Sequence, residues 1–357
     1  MYSVGLDVHQ KRSSLEILDA HGALFKRVQV KGAWPTLLRE VEKLPRPFAI
    51  CYEASCGYGY LHDELGKRAD RVVVAHPGHL RLIFRSKKKN DRIDAAKIAK
   101  LLYLNEVPQV HVPRGDVRGW RALIEYRRKL LGQRTGIKNQ VRALLRGLGM
   151  VVARGLWTKK GQQWLKEQAM GAGDDLRRQI MMEELEELTA KINRVEKELA
   201  QIAQGHAGVA LLMTIPGVGI RTAEAFMAYV DDIQRFLRTR QVGSYFGLVP
   251  CQDSSSQVNR LGHITKDGPA TVRGLLCEAA WQGVLRSPTI RRFYQRVMHG
   301  QKERRKIALV ATAHYLVRVM AAMLRTGEIW RESPAPEQTD QPRSVSPEDG
   351  SQGGTHQ

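Results

Sequence analysis

The sequence predicts an α/β domain followed by a mostly α-helical second half, and two patterns carry that expectation. Roughly the first hundred residues begin at the two-residue period of strands and end at helix spacing. Farther on, Met181, Leu185, Leu188, Ile192, Val195, Leu199 and Ile202 recur at intervals of 4-3-4-3-4-3, the a/d seam of a long helix.

The elements follow in order. In Tyr2–His9, Val4, Leu6 and Val8 share one face of a strand, and Ser3, Gly5 and Asp7 share the other. A second strand is expected at Ser13–Leu18, turn chemistry at Asp19–Gly22 and a third strand at Leu24–Val30, which together make an antiparallel meander. Trp34–Lys43 reads as a helix. Phe48–Glu53 is a short apolar strand ending in a carboxylate, Tyr60–Ala69 a helix, and Arg71–Ala75 a buried strand stopped by Pro77. Strand-strand-strand-helix-strand-helix-strand is the order of a ribonuclease H-like sheet.

Helix spacing returns at Ile93, Ala96, Ile98, Leu101 and Leu102 and ends at Pro108. Val117–Leu148 is a long basic helical region with Arg121, Arg127, Arg128, Lys129, Arg134, Lys138, Arg142 and Arg146. Residues 150–174 read as a mixed connector with several glycines. The heptad seam runs for about three heptads and favours a paired coiled coil, although a helix packed in its own domain has the same pattern. Ile215-Pro-Gly-Val-Gly219 lies between two helical stretches, as in a helix-hairpin-helix element. There Gly217 and Gly219 would let the backbone approach a phosphate at a helix N-terminus; a plain turn between packed helices would look alike. Cys251–Gln257 is polar and loop-like. Thr271–Leu285 and Glu303–Leu324 are amphipathic helices, and from Arg331 the composition is that of a disordered tail.

Charge narrows the function. Lys and Arg number 57 against 36 Asp and Glu, a formal net charge of +21 over 357 residues. A field of that sign attracts polyanions, nucleic acid above all; a solvated basic surface is the plainer reading. No secretory leader is recognised, and no apolar run approaches the roughly 20 residues that span a bilayer. No membrane association is therefore expected. Cys51, Cys56, Cys251 and Cys277 fit neither a zinc ribbon nor a disulfide framework and read as reduced thiols of a cytoplasmic protein.

Four carboxylates stand out. Asp7 lies inside the first strand, Glu53 ends the fourth, and Asp91 and Asp94 flank a helix start three residues apart, on one face. Strand ends and a helix start can converge in a ribonuclease H-like fold. Converging carboxylates repel unless a cation joins them, and hard oxygens suit Mg2+, which polarises a phosphodiester. Singly, Asp91 reads equally as an N-cap, Asp94 as a first-turn residue and Glu53 as a surface charge. Asp7 is harder to dismiss, because burying an unpaired charge in an apolar strand is costly. Lys87, Lys88 and Lys89 add a basic approach, or a solvated loop. In the second half, Ser254-Ser-Ser256 is followed by Arg260, His263, Lys266 and Arg273, which could hold a phosphate. A serine hydroxyl needs a base or metal to activate it, and Asp253 or His263 could serve as base.

These motifs resemble the DEDD transposases of bacterial insertion sequences, relatives of the Piv invertase and known as bridge-RNA-guided recombinases. The likeness covers about residues 1–326. It rests on Gly5-Leu-Asp-Val8, Tyr52-Glu-Ala54, Asn90-Asp-Arg-Ile-Asp94, Ile215-Pro-Gly-Val-Gly219, Gly247-Leu-Val-Pro250 and Arg260-Leu-Gly-His-Ile-Thr-Lys266. It implies a RuvC-like metal domain at 1–112, a basic helical region and connector at 113–174 and a coiled coil at 175–205. A C-terminal serine domain at 206–330 and a tail at 331–357 would follow. It further implies that Asp7, Glu53, Asp91 and Asp94 hold Mg2+ and that a serine attacks DNA to give a covalent phosphoserine. A homodimer or tetramer would work on element-end and target DNA with a structured guide RNA. Nucleic-acid contacts would come from Lys87, Lys88, Lys89, Arg127, Arg128, Lys138, Arg142, Gly217, Gly219, Arg260, Lys266 and Arg273. One departure concerns the serine loop, where the family usually has Ser-Gly. Counting five residues from Pro250 places the nucleophile at Ser255, with Ser256 in the glycine's place. Two other readings remain: a RuvC-like nuclease using metal-bound water, and a non-catalytic nucleic-acid-binding protein.

Overall fold

The computed structural model describes residues 1–55, 57–83, 91–151, 154–255 and 258–334, and for 91–93, 253–255, 258, 259 and 261 the backbone alone. Lys87, Lys88, Lys89, Ser256 and the tail from residue 335 lie outside the described residues. The chain forms two compact units, Met1–Leu188 and Thr189–Gln357.

In the first unit every strand expected from the alternation is present. The elements are β1 (Tyr2–Val8), β2 (Arg12–Leu18), β3 (Leu24–Lys31), α1 (Trp34–Glu42), β4 (Phe48–Glu53), α2 (Tyr58–Gly66) and β5 (Arg71–Ala75). After them come α3 (Pro77–Ile83) and α4 (Asp91–Tyr103). The sheet order is β3-β2-β1-β4-β5, with β1–β2 and β2–β3 antiparallel and β1–β4 and β4–β5 parallel. One face of β1 and β4 gives Val4, Leu6, Ile50 and Tyr52 to a core shared with Leu37 and Val41 of α1 and Leu61 and Leu65 of α2. Each such large apolar side chain contributes about 1.5–3 kcal/mol by leaving water. The other face gives Ala49, Cys51, Val73 and Ala75 to a core with Leu80 of α3 and Ile98, Leu101 and Leu102 of α4. Burial pushes the Cys51 thiol up to about 12, which makes it inert packing.

The unit continues with α5 (Gly115–Gly147), α6 (Lys159–Glu167) and α7 (Ala172–Gln204), which runs on into the second unit. The stretch read as a connector thus contains a helix. Its glycines suggested breaks, but Gly155 and Gly171 adopt positive φ outside the ends of α6. Gly161, inside it, sits so close to the Gly155 carbonyl that a Cβ would lie 2.3 Å from that oxygen. Thr158 caps the helix, its Oγ1 accepting from the Gly161 N–H at 3.2 Å. The heptad seam also finds cover within the chain. Met181, Met182 and Leu185 of α7 bury against Val141, Leu144 and Leu145 of α5, with Leu156 and Leu165. Periodicity fixes which side of α7 is apolar, and the chain's own helices cover this part of it.

The second unit holds α8 (Ala207–Leu212), α9 (Ile220–Val230), α10 (Thr239–Tyr245), β6 (Pro250–Ser255) and β7 (Val258–Ile264), then α11 (Ala270–Arg286), α12 (Pro288–Met298) and α13 (Arg305–Thr326). Contrary to the sequence expectation, Lys302–Thr326 is long and apolar enough by composition to cross a membrane. It is the central helix of this unit instead, burying Ala313, Leu316, Val317, Met320 and Ala321 and packing on α10, α11 and α12. The polar stretch read as a loop is strand β6, paired antiparallel with β7 in the register Asp253↔Arg260 and Ser255↔Val258. Its Asp and Ser composition argued for a turn, but cross-strand pairing with β7 overrides that local preference.

The start of the expected disordered tail is anchored too, as is Trp330 just before it. Trp330 N–H donates to Thr214 Oγ1 at 3.1 Å and Ser333 N–H to Thr289 Oγ1 at 2.9 Å. Glu332 accepts from the Thr289 N–H in the first turn of α12 at 3.0 Å. Burial raises the carboxyl's pKa, but hydrogen bonds from Thr289, Ser287 and Trp330 outweigh it and hold the group at about 2. A depressed carboxylate stabilises the fold above its unfolded pKa of 4.5 and loses that contribution as pH falls toward 2. Glu332→Gln should therefore lower the apparent Tm at pH 7 by a few degrees, of the order expected for a lost cap. The gap from the parent should close between pH 4.5 and 2. A pH-independent gap in thermal melts would contradict this role.

Candidate active site and nucleic-acid contacts

The first unit brings its predicted acids to one end of the sheet. The parallel register sets Leu6 opposite Tyr52, so Asp7 and Glu53, the next residues, sit side by side at the ends of β1 and β4. They share the face of Gly5 and Cys51, onto which α4 packs. The direction of α4 follows from two glycines. A Cβ on Gly22, in the β2–β3 turn, would meet the Tyr103 ring at 2.7 Å, and one on Gly5 would meet the Ala95 carbonyl oxygen at 2.1 Å. The helix therefore runs antiparallel to β1, and its first turn, with Asp91 and Asp94, lies at the Asp7 end. Gly5 is required there because no side chain fits under the α4 backbone.

Asp7 keeps 21% side-chain exposure and its Oδ2 lies 3.3 Å from His9 Nε2. Glu53 is exposed at its strand end. Asp94 lies 3.6 Å from Lys97 Nζ. Only the backbone of Asp91 is described. Among the described residues, no three His, Cys, Asp or Glu side chains are drawn together at metal-ligand distance. The donor chemistry nevertheless fits a hard divalent cation. The acids are oxygen donors, two at the ends of β1 and β4 and two in the first turn of α4. Beside Asp7, across the β1–β2 pairing, the buried Ser14 Oγ has no hydrogen-bond partner. Sequence reading missed Ser14; its place opposite Asp7 depends on strand pairing. Glu16, buried on the same face, is already committed, its Oε2 accepting from Arg27 Nε at 2.7 Å.

The second unit sorts the other predicted residues. Gly217 has φ +96°, and a Cβ there would lie 2.4 Å from the Gly283 nitrogen of α11, so helix packing already requires this glycine. Gly219 differs: nothing lies within 4 Å of its would-be Cβ, at the N-cap of α9. Arg221, in the first turn of α9, is engaged with the buried Glu224 at 2.9 Å. Arg273 Nη1 donates to the Phe246 and Asp267 carbonyls at 3.0 and 2.8 Å and so ties together the base of the β6–β7 hairpin. Arg260, His263 and Lys266 are exposed along the basic strand and its end. Ser254 and Ser255 end β6 at the hairpin tip.

On α5, Arg128 pairs with Glu125 at 3.1 Å and Arg127 is half-buried. Lys138 and Arg142 lie over the Trp157 ring, 5.0 and 5.5 Å from its centroid.

The comparisons with known proteins decide the family. A model described as "Transposase IS116/IS110/IS902 family" matches residues 209–295, and the DEDD transposase model of IS110 type matches residues 4–150. The chain belongs to the IS110/IS116/IS902 family of transposases. It is similar to a probable family 20 transposase of Pseudomonas aeruginosa, 26% identical over 92% of this chain and 98% of the relative. It is 32% identical to the transposase for insertion sequence element IS1111A of Coxiella burnetii over 57% of each chain. The transposase for element IS1328 of Yersinia enterocolitica is 26% identical over 78% of this chain and 82% of its own. Transposases cleave and recombine DNA, so the chain is an enzyme of an insertion sequence. The DEDD match, over the stretch that contains Asp7, Glu53, Asp91 and Asp94, points to a divalent metal, commonly Mg2+.

Proposed function

We propose that this transposase exchanges DNA strands through a covalent phosphoserine at Ser255, assisted by a metal held by Asp7, Glu53, Asp91 and Asp94. The single observation that supports it most is the shared sheet end of Asp7 and Glu53, with the start of α4 laid against it. A bound Mg2+ would supply charge stabilisation at the phosphodiester. Asp7, across from the unpartnered Ser14 hydroxyl, would be one of the metal's ligands. The Ser255 Oγ attacks phosphorus and forms an O–P bond. The deoxyribose oxygen of the leaving strand departs, taking the proton that the serine releases. Reversal by the hydroxyl of another strand joins it and frees the serine, so no external energy source is needed. Arg260 on β7 and Lys266 at the base of the hairpin, both exposed, attract the phosphate backbone. The active form is an oligomer, dimer or tetramer, in the bacterial cytoplasm, in which different subunits supply the two domains. A structured bridge RNA pairs with target and donor DNA.

The test traps the intermediate. Full-length protein, Mg2+, candidate guide RNA and labelled element-end DNA are mixed, denatured and resolved on a gel. A protein–DNA adduct present in the parent and absent in Ser255→Ala supports the serine mechanism. Cutting without an adduct, equal in Ser255→Ala, would show hydrolysis by a RuvC-like nuclease instead. Adduct retained in Ser255→Ala but lost in Ser254→Ala would move the nucleophile by one residue.

A further inference from the structure

The first unit carries a basic cavity in which Arg142, expected from the sequence to contact nucleic acid, is joined by Arg146 and Arg154, which were not. It has a volume of about 610 Å³ and is lined by Arg142, Arg146, Met150, Arg154, Leu156 and Trp157. No carboxylate is among its lining residues. Arg142 has a polar partner, Asn139 Oδ1 at 3.0 Å, while Arg146 and Arg154 have no ion pair among the described residues. Lys138, Arg142 and Arg146 stand four residues apart on α5, so they form one cationic row with about 6 Å between members. Like charges at this spacing repel along a helix, a cost that a bound polyanion relieves.

The row is positioned in advance. The Trp157 ring lies under Lys138 and Arg142, which restrains both cations before anything binds. The indole N–H of Trp157 is buried without a hydrogen-bond partner. Burial, and then the nearby charges of Arg134 and Arg142, hold the Lys138 amine below its ordinary range.

We propose that this cradle binds successive backbone phosphates of a nucleic-acid strand, with Arg142 and Arg146 of α5 and Arg154 before α6 as the contacts. The proposal rests on the transposase reading for the presence of nucleic acid and adds a site remote in sequence from the four acids and the serine. Element DNA and a structured RNA offer the same phosphodiester chemistry, and the experiment separates them.

Full-length protein is titrated into labelled duplex DNA and, separately, into a labelled RNA stem-loop, by fluorescence anisotropy over a series of salt concentrations. Each phosphate contact contributes about 0.9 to the slope of log K against log salt on duplex DNA. R146Q/R154Q should therefore lower that slope by about 1.8 if DNA occupies the cradle. If RNA occupies it, the RNA curve shifts and the DNA curve stays. R146K/R154K should restore most of the slope, because the slope counts charge, whereas a misfolded variant would not recover. K43Q/K67Q, which removes two exposed cations paired with Glu40 and Glu64, is the control for net charge. The proposal is overturned if R146Q/R154Q changes neither slope by more than the control does. It is also overturned if lysine fails to restore the slope. Should the parent form the serine adduct while the cradle variants bind as it does, only the cradle fails. Should the parent bind neither ligand, the transposase reading fails with it.

Discussion

Asp7→Asn is expected to lower DNA cleavage by about 10³-fold, the several kcal/mol of transition-state charge stabilisation that a metal ion supplies. The substitution keeps the shape of the side chain and removes its charge. Asp7 stands at the end of the central strand, still partly exposed, beside a hydroxyl without a partner. In the proposed role it holds a cation rather than supporting the sheet, so the apparent Tm and DNA binding should stay near those of the parent. Cleavage measured against Mg2+ concentration should show the variant needing more metal, and a chelator should abolish the parent's activity. Glu16→Gln provides the contrast. That acid is on the same face but bound to Arg27, so its loss should lower stability and leave the metal requirement unchanged. Asp7→Asn with parental cleavage and an unchanged Mg2+ curve would remove Asp7 from the site.

The second large effect is structural. Gly5→Ala places a methyl 2.1 Å from the Ala95 carbonyl oxygen and 2.3 Å from the Ala99 nitrogen, both backbone atoms of α4 that no rotamer change can move. Overpacking of this kind costs about 3 kcal/mol or more. In a unit of this size that lowers the apparent Tm by roughly 5–10 °C. Activity should fall further than stability explains, because α4 carries Asp91 and Asp94 in its first turn. Gly66→Ala, where nothing lies within 4 Å of the added Cβ, should be close to neutral. Equal melting temperatures for Gly5→Ala and the parent would show that α4 is not clamped to β1 as described.

Much of the first unit was legible from spacing. Val4, Leu6 and Val8 alternate because strand side chains alternate, and the predicted order from β1 to β5 is the observed one, whereas α3 and α6 were not foreseen. A glycine inside a strand pattern signals close backbone approach, and Gly5 meets α4 in that way. Other positions could not be sorted from one sequence. Gly217 and Gly219 share a motif, yet one is filled in against α11 and the other lies open at a helix start. Arg260 and Arg273 are both basic residues after the serines, yet Arg273 is spent on two carbonyls and Arg260 is exposed. The run around Ser255 has the composition of a loop and the pairing of a strand.

The sequence by itself determined the local elements, the apolar faces and the charge, because these follow from backbone periodicity and residue chemistry over a few turns. Tertiary structure alone decided what those faces meet. It set Asp7 beside Glu53, laid the first turn of α4 at the same end of the sheet, covered part of the heptad seam with α5 and α6, and gathered Arg142, Arg146 and Arg154 around Trp157. Each of these depends on contacts between residues far apart in the chain, whose register is fixed by packing and has no counterpart in local spacing.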